Sequence, residues 1–252
     1  MIFRNLIETN LRTKIFGQNI EYYQRLDSTN KEAWELIDSN EAHHGMVIIT
    51  DNQLAGKGRN GNSWFMSPSK GLALSIILTK KIPLDKAKLI PIGASVSIAK
   101  ALKNRGCIPE LKWPNDIHLD GKKCGGILCE SRISEGFVKY MVIGIGLNVN
   151  ENVNDLPSSL NNQATSYAIE TGNSIQRELV CAIILTYLEQ IIENLETCIQ
   201  EWLKFCSHME KSVKFRLNKK TCEGIFKGIN KDGEALIKIN NELVAFPSII
   251  IE

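Results

Sequence analysis

Lysine, asparagine and aspartate crowd into one short stretch, residues 112–130, where Lys112, Asn115, Asp116 and Lys123 interrupt what otherwise reads as two short strands. Between them lies Asp120-Gly121, the strongest short-range signal for a two-residue hairpin turn. A tight hairpin brings its flanks within about 5 Å of each other. The pattern therefore predicts that the Asn-Asp pair and Lys123 sit side by side on one sheet edge or face. That set suits a phosphate and its metal counter-ion far better than it suits a core.

A second candidate lies upstream. Gly56-Lys-Gly58-Arg-Asn-Gly61 spells G-x-G-x-x-G. A dinucleotide fingerprint needs a helix to start at the third glycine, so that the pyrophosphate meets its N-terminus. Pro68 and Gly71 follow closely and argue against a long helix there. The Rossmann reading fails on context, and no Walker A pattern occurs. What remains is a flexible loop carrying Lys57 and Arg59, with Trp64 behind it. Glycines let a backbone approach a ligand and offer it N–H groups. Arg59 would grip phosphate oxygens as a fork and Lys57 as a point charge. Such a loop can close over an anion and exclude water. An ordinary solvated loop is the plainer alternative, and Trp64 reads either as core or as a platform for adenine.

These residues need a scaffold. Asp27-Ser28-Thr29-Asn30 offers helix N-caps, and Thr29 with Glu32 fits a capping box. Ala33, Trp34 and Ile37 give the following helix an apolar face. Strands are predicted at 46–50, 72–78 and 137–149, and helices at 87–103 and from Ser174, as its cap, to about 205. Leu179, Ile183, Tyr187 and Ile191 fall at helical spacing in the last. Beyond residue 210 come short alternating runs punctuated by Asp232-Gly233 and Asn240-Asn241. Four or five strands in about 40 residues suggest a small barrel. The expected division is 1–209 and 210–252.

The totals set limits. A chain of 252 residues with 43% apolar and 23% charged side chains is ordinary for a globular protein. A net charge of +2 is too small to predict bulk nucleic-acid binding. Seven scattered cysteines, an odd number with no Cys-x-x-Cys pair, suit free thiols in a reducing cytoplasm. Cys124 and Cys129 have no histidine at ligand spacing, so they read as small packing groups and not as a zinc site. His43 and His44 read as solvated, and His118 as lying on the polar face of a strand. Arg4, Glu8 and Arg12 break any leader-like apolar run, and no apolar stretch of about 20 residues exists. The expected location is the cytoplasm, with no membrane partner.

Four motifs now stand in fixed order: Asp27-Ser-Thr-Asn30; Gln53-Leu-Ala-Gly-Lys-Gly-Arg-Asn-Gly61 with Trp64 and Ser67-Pro68; Lys112-Trp-Pro-Asn-Asp116 with Lys123-Cys-Gly-Gly-Ile-Leu128; and Gly144-Ile-Gly-Leu-Asn-Val149. Together they resemble the biotin–protein ligases, which activate biotin and attach it to acetyl-CoA carboxylase. The resemblance implies an α/β (α+β) mixed-sheet catalytic domain followed by a small SH3-like β-barrel. It implies ATP and biotin as substrates, Mg²⁺, and the biotin carboxyl carrier protein as partner. Residue by residue, it implies Ser28, Thr29, Asn30 and Gln53 around the ureido group, and Lys57, Gly58 and Arg59 in the loop that closes over biotin and the adenylate. Lys123 would lie near the biotin carboxylate and α-phosphate, with Gly126 and Leu128 lining the biotin site. Trp64 and Asn148 would meet the nucleotide. Asn115 and Asp116 would lie near the phosphates and magnesium, Asp116 as the metal contact. Lys123 and Arg59 carry the expected catalytic roles.

The charges fit that chemistry. A carboxylate attacking an α-phosphate brings two anions together, and cations must screen them. The substrate carboxylate and then an acceptor amine do the attacking, so no nucleophilic side chain is required. The chain departs from the usual loop pattern: position 57 is Lys where arginine is common, and positions 60 and 62 are Asn. Lys57 lacks a bidentate fork. Too few residues precede Ser28 for a helix-turn-helix domain, so no DNA partner is expected. Some relatives dimerise through the catalytic sheet, and the sequence leaves a homodimer open. A lipoate or octanoate ligase and a non-catalytic biotin sensor are the alternatives.

Overall fold

The structure is a computed structural model and describes every residue except 161, 218, 219 and 252. In chain order its elements are α1 (Arg4–Asn10), β1 (Ile20–Tyr23), α2 (Thr29–Asp38), β2 (Val47–Thr50), β3 (Gly56–Lys57), β4 (Ser63–Trp64), β5 (Leu72–Leu78), β6 (Ile82–Pro83), α3 (Leu84–Ala87), α4 (Ile90–Asn104), β7 (Pro109–Lys112), β8 (Asp116–Leu119), β9 (Lys122–Ser134) and β10 (Phe137–Leu147). There follow α5 (Tyr167–Thr171), α6 (Arg177–Glu193), α7 (Cys198–Leu203), β11 (Ser212–Leu217), β12 (Lys220–Ile229), β13 (Ala235–Ile239), β14 (Glu242–Phe246) and β15 (Ile250–Ile251).

An eight-stranded sheet runs β1-β2-β5-β10-β9-β8-β7, with β6 paired to β10 off that path. β1 and β2 are parallel and the remaining pairs antiparallel, so the sheet is mixed. A second, antiparallel sheet of five strands runs β14-β13-β12-β11-β15, as the SH3-like expectation requires. Its predicted turns carry positive φ at Gly233 (77°), Asn240 (48°) and Asn241 (70°).

Strand alternation assigns the two faces of the large sheet. Val47, Ile49, Leu72, Leu74, Ile76, Ile127, Ile143 and Ile145 join the main core together with apolar residues of α4 and α6. Ile48, Ile77 and Val142 point the other way and pack beneath α2 with Ala33, Ile37 and Met46. That second face also carries Ser75, Leu128, Gly144 and Gly146, where the apolar covering stops and the candidate site begins.

Four local expectations need correction. Thr29 does not cap α2; Ser28 holds that position without a side-chain hydrogen bond. The Thr29 and Asn30 side chains are buried in the site, and Glu32 accepts a hydrogen bond from the Tyr23 hydroxyl at 2.8 Å. Helix α6 begins at Arg177 with Gln176, not Ser174, at its N-cap. Its deepest residues are Val180, Cys181, Ile184, Leu185 and Leu188, one position round from the predicted stripe. His44 is half-buried, not solvated: its Nδ1 accepts from the Thr79 N–H at 3.1 Å and its ring meets Phe16 edge-on.

Arg177 explains how a scaffold helix serves the site. One guanidinium nitrogen lies 2.7 Å from the Asp51 carboxylate and the other donates to the Gly71 carbonyl at 3.0 Å. Those residues flank the glycine-rich segment between β2 and β5. The loop itself contains the short β3–β4 pair, and no α-helix follows Gly61, whose φ is 79°.

Candidate functional site

One cavity, of about 180 Å³, opens on the α2-facing side of the sheet. Its wall includes every site residue predicted from the sequence except Asn148. Ser28, Thr29 and Asn30 come from the start of α2, and Gln53 from the loop after β2. Lys57, Gly58, Arg59 and Trp64 come from the β3–β4 segment, Asn115 and Asp116 from the start of β8, and Lys123, Gly126 and Leu128 from β9. Gly144 and Gly146 supply the floor. A Cβ on Gly144 would stand 2.3 Å from Asn30 Oδ1, and one on Gly146 would stand 2.4 Å from the Trp64 ring. Both positions therefore need glycine for close approach.

The inner part of the cavity is neutral and internally hydrogen-bonded. The Thr29 N–H donates to Gln53 Oε1 at 2.9 Å. Ser75 Oγ lies 2.7 Å from Thr29 Oγ1 and 2.6 Å from Asn30 Oδ1. The Asn30 amide nitrogen donates to Glu130 Oε2 at 2.7 Å and to the Leu128 carbonyl at 3.3 Å. Ser75 and Glu130 were missed by sequence reasoning. Ser75 had a signal: it is the one polar side chain in the apolar run Leu72–Leu78.

The outer part is charged. Lys123 Nζ lies 2.6 Å from Asp116 Oδ1. The pairing rests on a β-bulge: the β8–β9 register shifts between Ile117 and His118. Strict alternation would send Lys123 to the face of Ile127, in the main core; the extra residue re-aims it to the face of Asp116. The Lys123 backbone is held from outside, its N–H donating to the Gln163 carbonyl (2.8 Å) and its carbonyl accepting from Thr165 (2.9 Å). Asn115 is fixed to β9 by its side-chain nitrogen on the Ile127 carbonyl at 2.8 Å, which leaves its oxygen toward Arg59 Nη1 at 3.4 Å. Burial lowers the pKa of the Arg59 guanidinium from its ordinary value, opposed by the Asp116 carboxylate. Lys57 is exposed.

Trp64 lies over the glycine floor, and its indole nitrogen is buried without a partner among the described residues. Asn148 sits just past β10, away from the wall. Its amide nitrogen donates to the Thr165 carbonyl at 2.9 Å, and its Oδ1 is buried and unpartnered among the described residues. Two further contributors were given no role from the sequence: Trp113, inside the Lys112–Asp116 motif and joined to Pro114 by a cis peptide, and residues 249–251, at β15 of the smaller sheet. Trp113 Nε1 donates to the Gly233 carbonyl at 3.0 Å and ties the two sheets together at the site. A larger cleft, about 810 Å³, adjoins the cavity and shares the wall formed by residues 57–60 and 113–115.

Residues 22–148, which hold nearly the whole of this wall, match the model of the Biotin/lipoate A/B protein ligase family. The chain belongs to that family. It is an enzyme of the biotin–protein ligase kind. It is 32% identical over 252 residues to the Bifunctional ligase/repressor BirA of Bacillus subtilis, covering 98% of this chain and 77% of that protein. It is 27% identical over 225 residues to the Biotin–[acetyl-CoA-carboxylase] ligase of Paracoccus denitrificans, covering 85% of this chain and 92% of that one. The fold is shared with a biotin protein ligase from Aquifex aeolicus solved in complex with biotin and ATP. That likeness has a TM-score of 0.79 at 24% identity, over 93% of this ligase and 99% of the other.

Proposed function

We propose that this ligase joins biotin to ATP as biotinyl-5′-AMP and then transfers the biotinyl group to a lysine of the biotin carboxyl carrier protein of acetyl-CoA carboxylase. In the first step a carboxylate oxygen attacks the α-phosphorus, the bond to the bridging oxygen breaks, and pyrophosphate leaves. In the second, the acceptor amine attacks the acyl carbon, AMP leaves, and the amine proton passes to solvent or to a phosphate oxygen. The observation that carries this reading is the continuity of one cavity from a neutral, polar recess to a cationic mouth. A cyclic urea needs donors and acceptors without net charge, which suits Ser28, Thr29, Asn30 and Gln53. An apolar acyl tail would leave the spare donors and acceptors of those groups without a partner, so the recess favours biotin over lipoate or octanoate.

At the mouth, Lys123 and Arg59 would stabilise the charge that builds up when carboxylate meets phosphate. Lys57, exposed on the loop, would add a point charge to the phosphates. Among the described residues no three acidic, His or Cys side chains converge on a metal site. Magnesium needs no such cage, since it binds through one or two carboxylates and substrate phosphates. Asp116, with the Asn115 oxygen beside it, fits that requirement and would hold Mg²⁺, which supplies charge neutralisation on the phosphates. Trp64 and Asn148, each with a buried polar atom left free among the described residues, would serve the nucleotide. A cytoplasmic location accords with seven cysteines, all of them free. No helix among the described residues is long and apolar enough to cross a membrane.

The test is ATP- and Mg²⁺-dependent pyrophosphate release with biotin, followed by mass spectrometry of an added carrier domain. A gain of one biotinyl group on one lysine is expected. Release with lipoate or octanoate but not with biotin would overturn the proposal.

A further inference from the structure

Glu130 stands behind the recess and not in it: it lines the neighbouring cleft, while Asn30 lines the cavity. Its carboxylate faces the Asn30 amide at 2.7 Å and the Trp34 indole N–H at 3.4 Å. Both are donors, as an acceptor-only carboxylate requires. That contact has a consequence for every proton further along. With its nitrogen committed to Glu130 and the Leu128 carbonyl, Asn30 turns its carbonyl oxygen to Ser75. Ser75 has one hydroxyl proton and must give it to Asn30 Oδ1 at 2.6 Å. It then has only lone pairs for Thr29 Oγ1, 2.7 Å away, so the Thr29 hydroxyl donates to Ser75. Thr29 Oγ1 also lies 3.3 Å from Gln53 Oε1, but its one proton goes to the shorter contact with Ser75, and its lone pairs are kept for the cavity. Gln53, whose oxygen is taken by the Thr29 N–H at 2.9 Å, is left with its amide nitrogen as a donor.

We propose that Glu130 is a positioning residue that fixes the direction of the hydrogen bonds offered to the substrate ring, through the relay Asn30–Ser75–Thr29. This rests on the reading of the cavity as a biotin site and adds the source of its polarity. Replacing the carboxylate by an amide leaves only the Leu128 carbonyl, at 3.3 Å, to hold Asn30 in that sense. A glutamine at 130 can donate to a reversed Asn30, Ser75 can then donate to Thr29, and the lone pairs of Thr29 are withdrawn from the cavity.

The experiment compares biotin with 2-iminobiotin, in which a guanidine replaces the urea so that a donor stands where the ring carbonyl accepted. Pyrophosphate release is measured for the native ligase, Glu130→Gln and Ser75→Ala, with thermal melts to establish folding. The native ligase should favour biotin. Glu130→Gln should raise KM for biotin about tenfold with kcat changed much less, and should lower the biotin-to-iminobiotin preference by about the same factor. Ser75→Ala, which breaks the relay and keeps the carboxylate, should lower the preference by a smaller factor. A folded Glu130→Gln with the native preference would overturn the inference and leave the proposed reaction standing. If that variant does not fold, Ser75→Ala decides: an unchanged preference overturns the relay. A native ligase that releases no pyrophosphate with biotin would overturn the reaction, and the inference with it.

Discussion

The inner and outer halves of the cavity are built on opposite principles. In the recess and just behind it, Thr29, Asn30, Ser75, Gln53 and Glu130 bond to one another at 2.6 to 2.9 Å, and Ser28, Thr29 and Asn30 are nearly inaccessible. At the mouth, Lys57 and Asn62 are exposed and Arg59 only half-buried, and Lys123 is paired to one carboxylate. A recess that recognises an uncharged ring gains from groups fixed in advance, because buried polar networks pin donors and acceptors. A mouth that meets phosphates gains from cations whose present partners are few and exchangeable. On the proposed reaction the difference would separate recognition from chemistry, and mutations in the two halves should fail in different kinetic parameters.

The largest effect is expected at the mouth. Lys123→Ala should slow pyrophosphate release by about 10²–10³-fold, the usual loss when one positioned donor is removed from a developing charge; near-native rates would take Lys123 out of the chemistry. Next comes the recess. Gly144→Ala places a methyl group 2.3 Å from Asn30 Oδ1 and should raise KM for biotin by roughly tenfold to a hundredfold with kcat less affected. Equal loss in both parameters would erase the distinction drawn between the halves. Arg59→Gly should leave adenylate formation measurable and speed escape of the intermediate by about tenfold, read as free biotinyl-adenylate when no acceptor is present.

The smallest effect touches neither half directly. Glu151 is buried against the end of β10, accepts the Val149 N–H at 2.7 Å, and has its pKa pushed up to about 7 by burial. Its folded-state value lies above the unfolded one of about 4.5, so its contribution to stability is complete below about pH 4.5 and is lost as pH rises through about 7. The melting temperature should fall by several degrees from pH 6 to pH 8. Glu151→Gln, which keeps the oxygen acceptor without the charge, should flatten that slope.

Much of this was legible in the sequence. Asp120-Gly121 marked the hairpin that joins β8 to β9 and carries φ of 49° and 70°. Pro68 and Gly71 ruled out a helix after the glycine loop, and the alternating runs after 210 gave β11 to β14. What stayed hidden depended on faces and register. Lys123 was expected beside the Asn-Asp pair, as it stands, but the bulge in β9 that sends it there against simple alternation was not. Thr29 and Glu32 have the spacing of a capping box, yet tertiary partners at Ser75 and Tyr23 claim their side chains. The stripe predicted on α6 is one position off because that helix packs on α4 and on α1, and not on one surface alone. Glu130 carries no local signal, since its partner Asn30 is 100 positions away.

Because Arg177 grips Asp51 and Gly71 together, the segment between them is anchored at both stumps by a single buried residue. Leu54 and Phe65, half-exposed within it, offer a protease its natural point of attack. A chain nicked there should migrate as two fragments in denaturant and as one particle in buffer, crippled as an enzyme yet still whole as a globule.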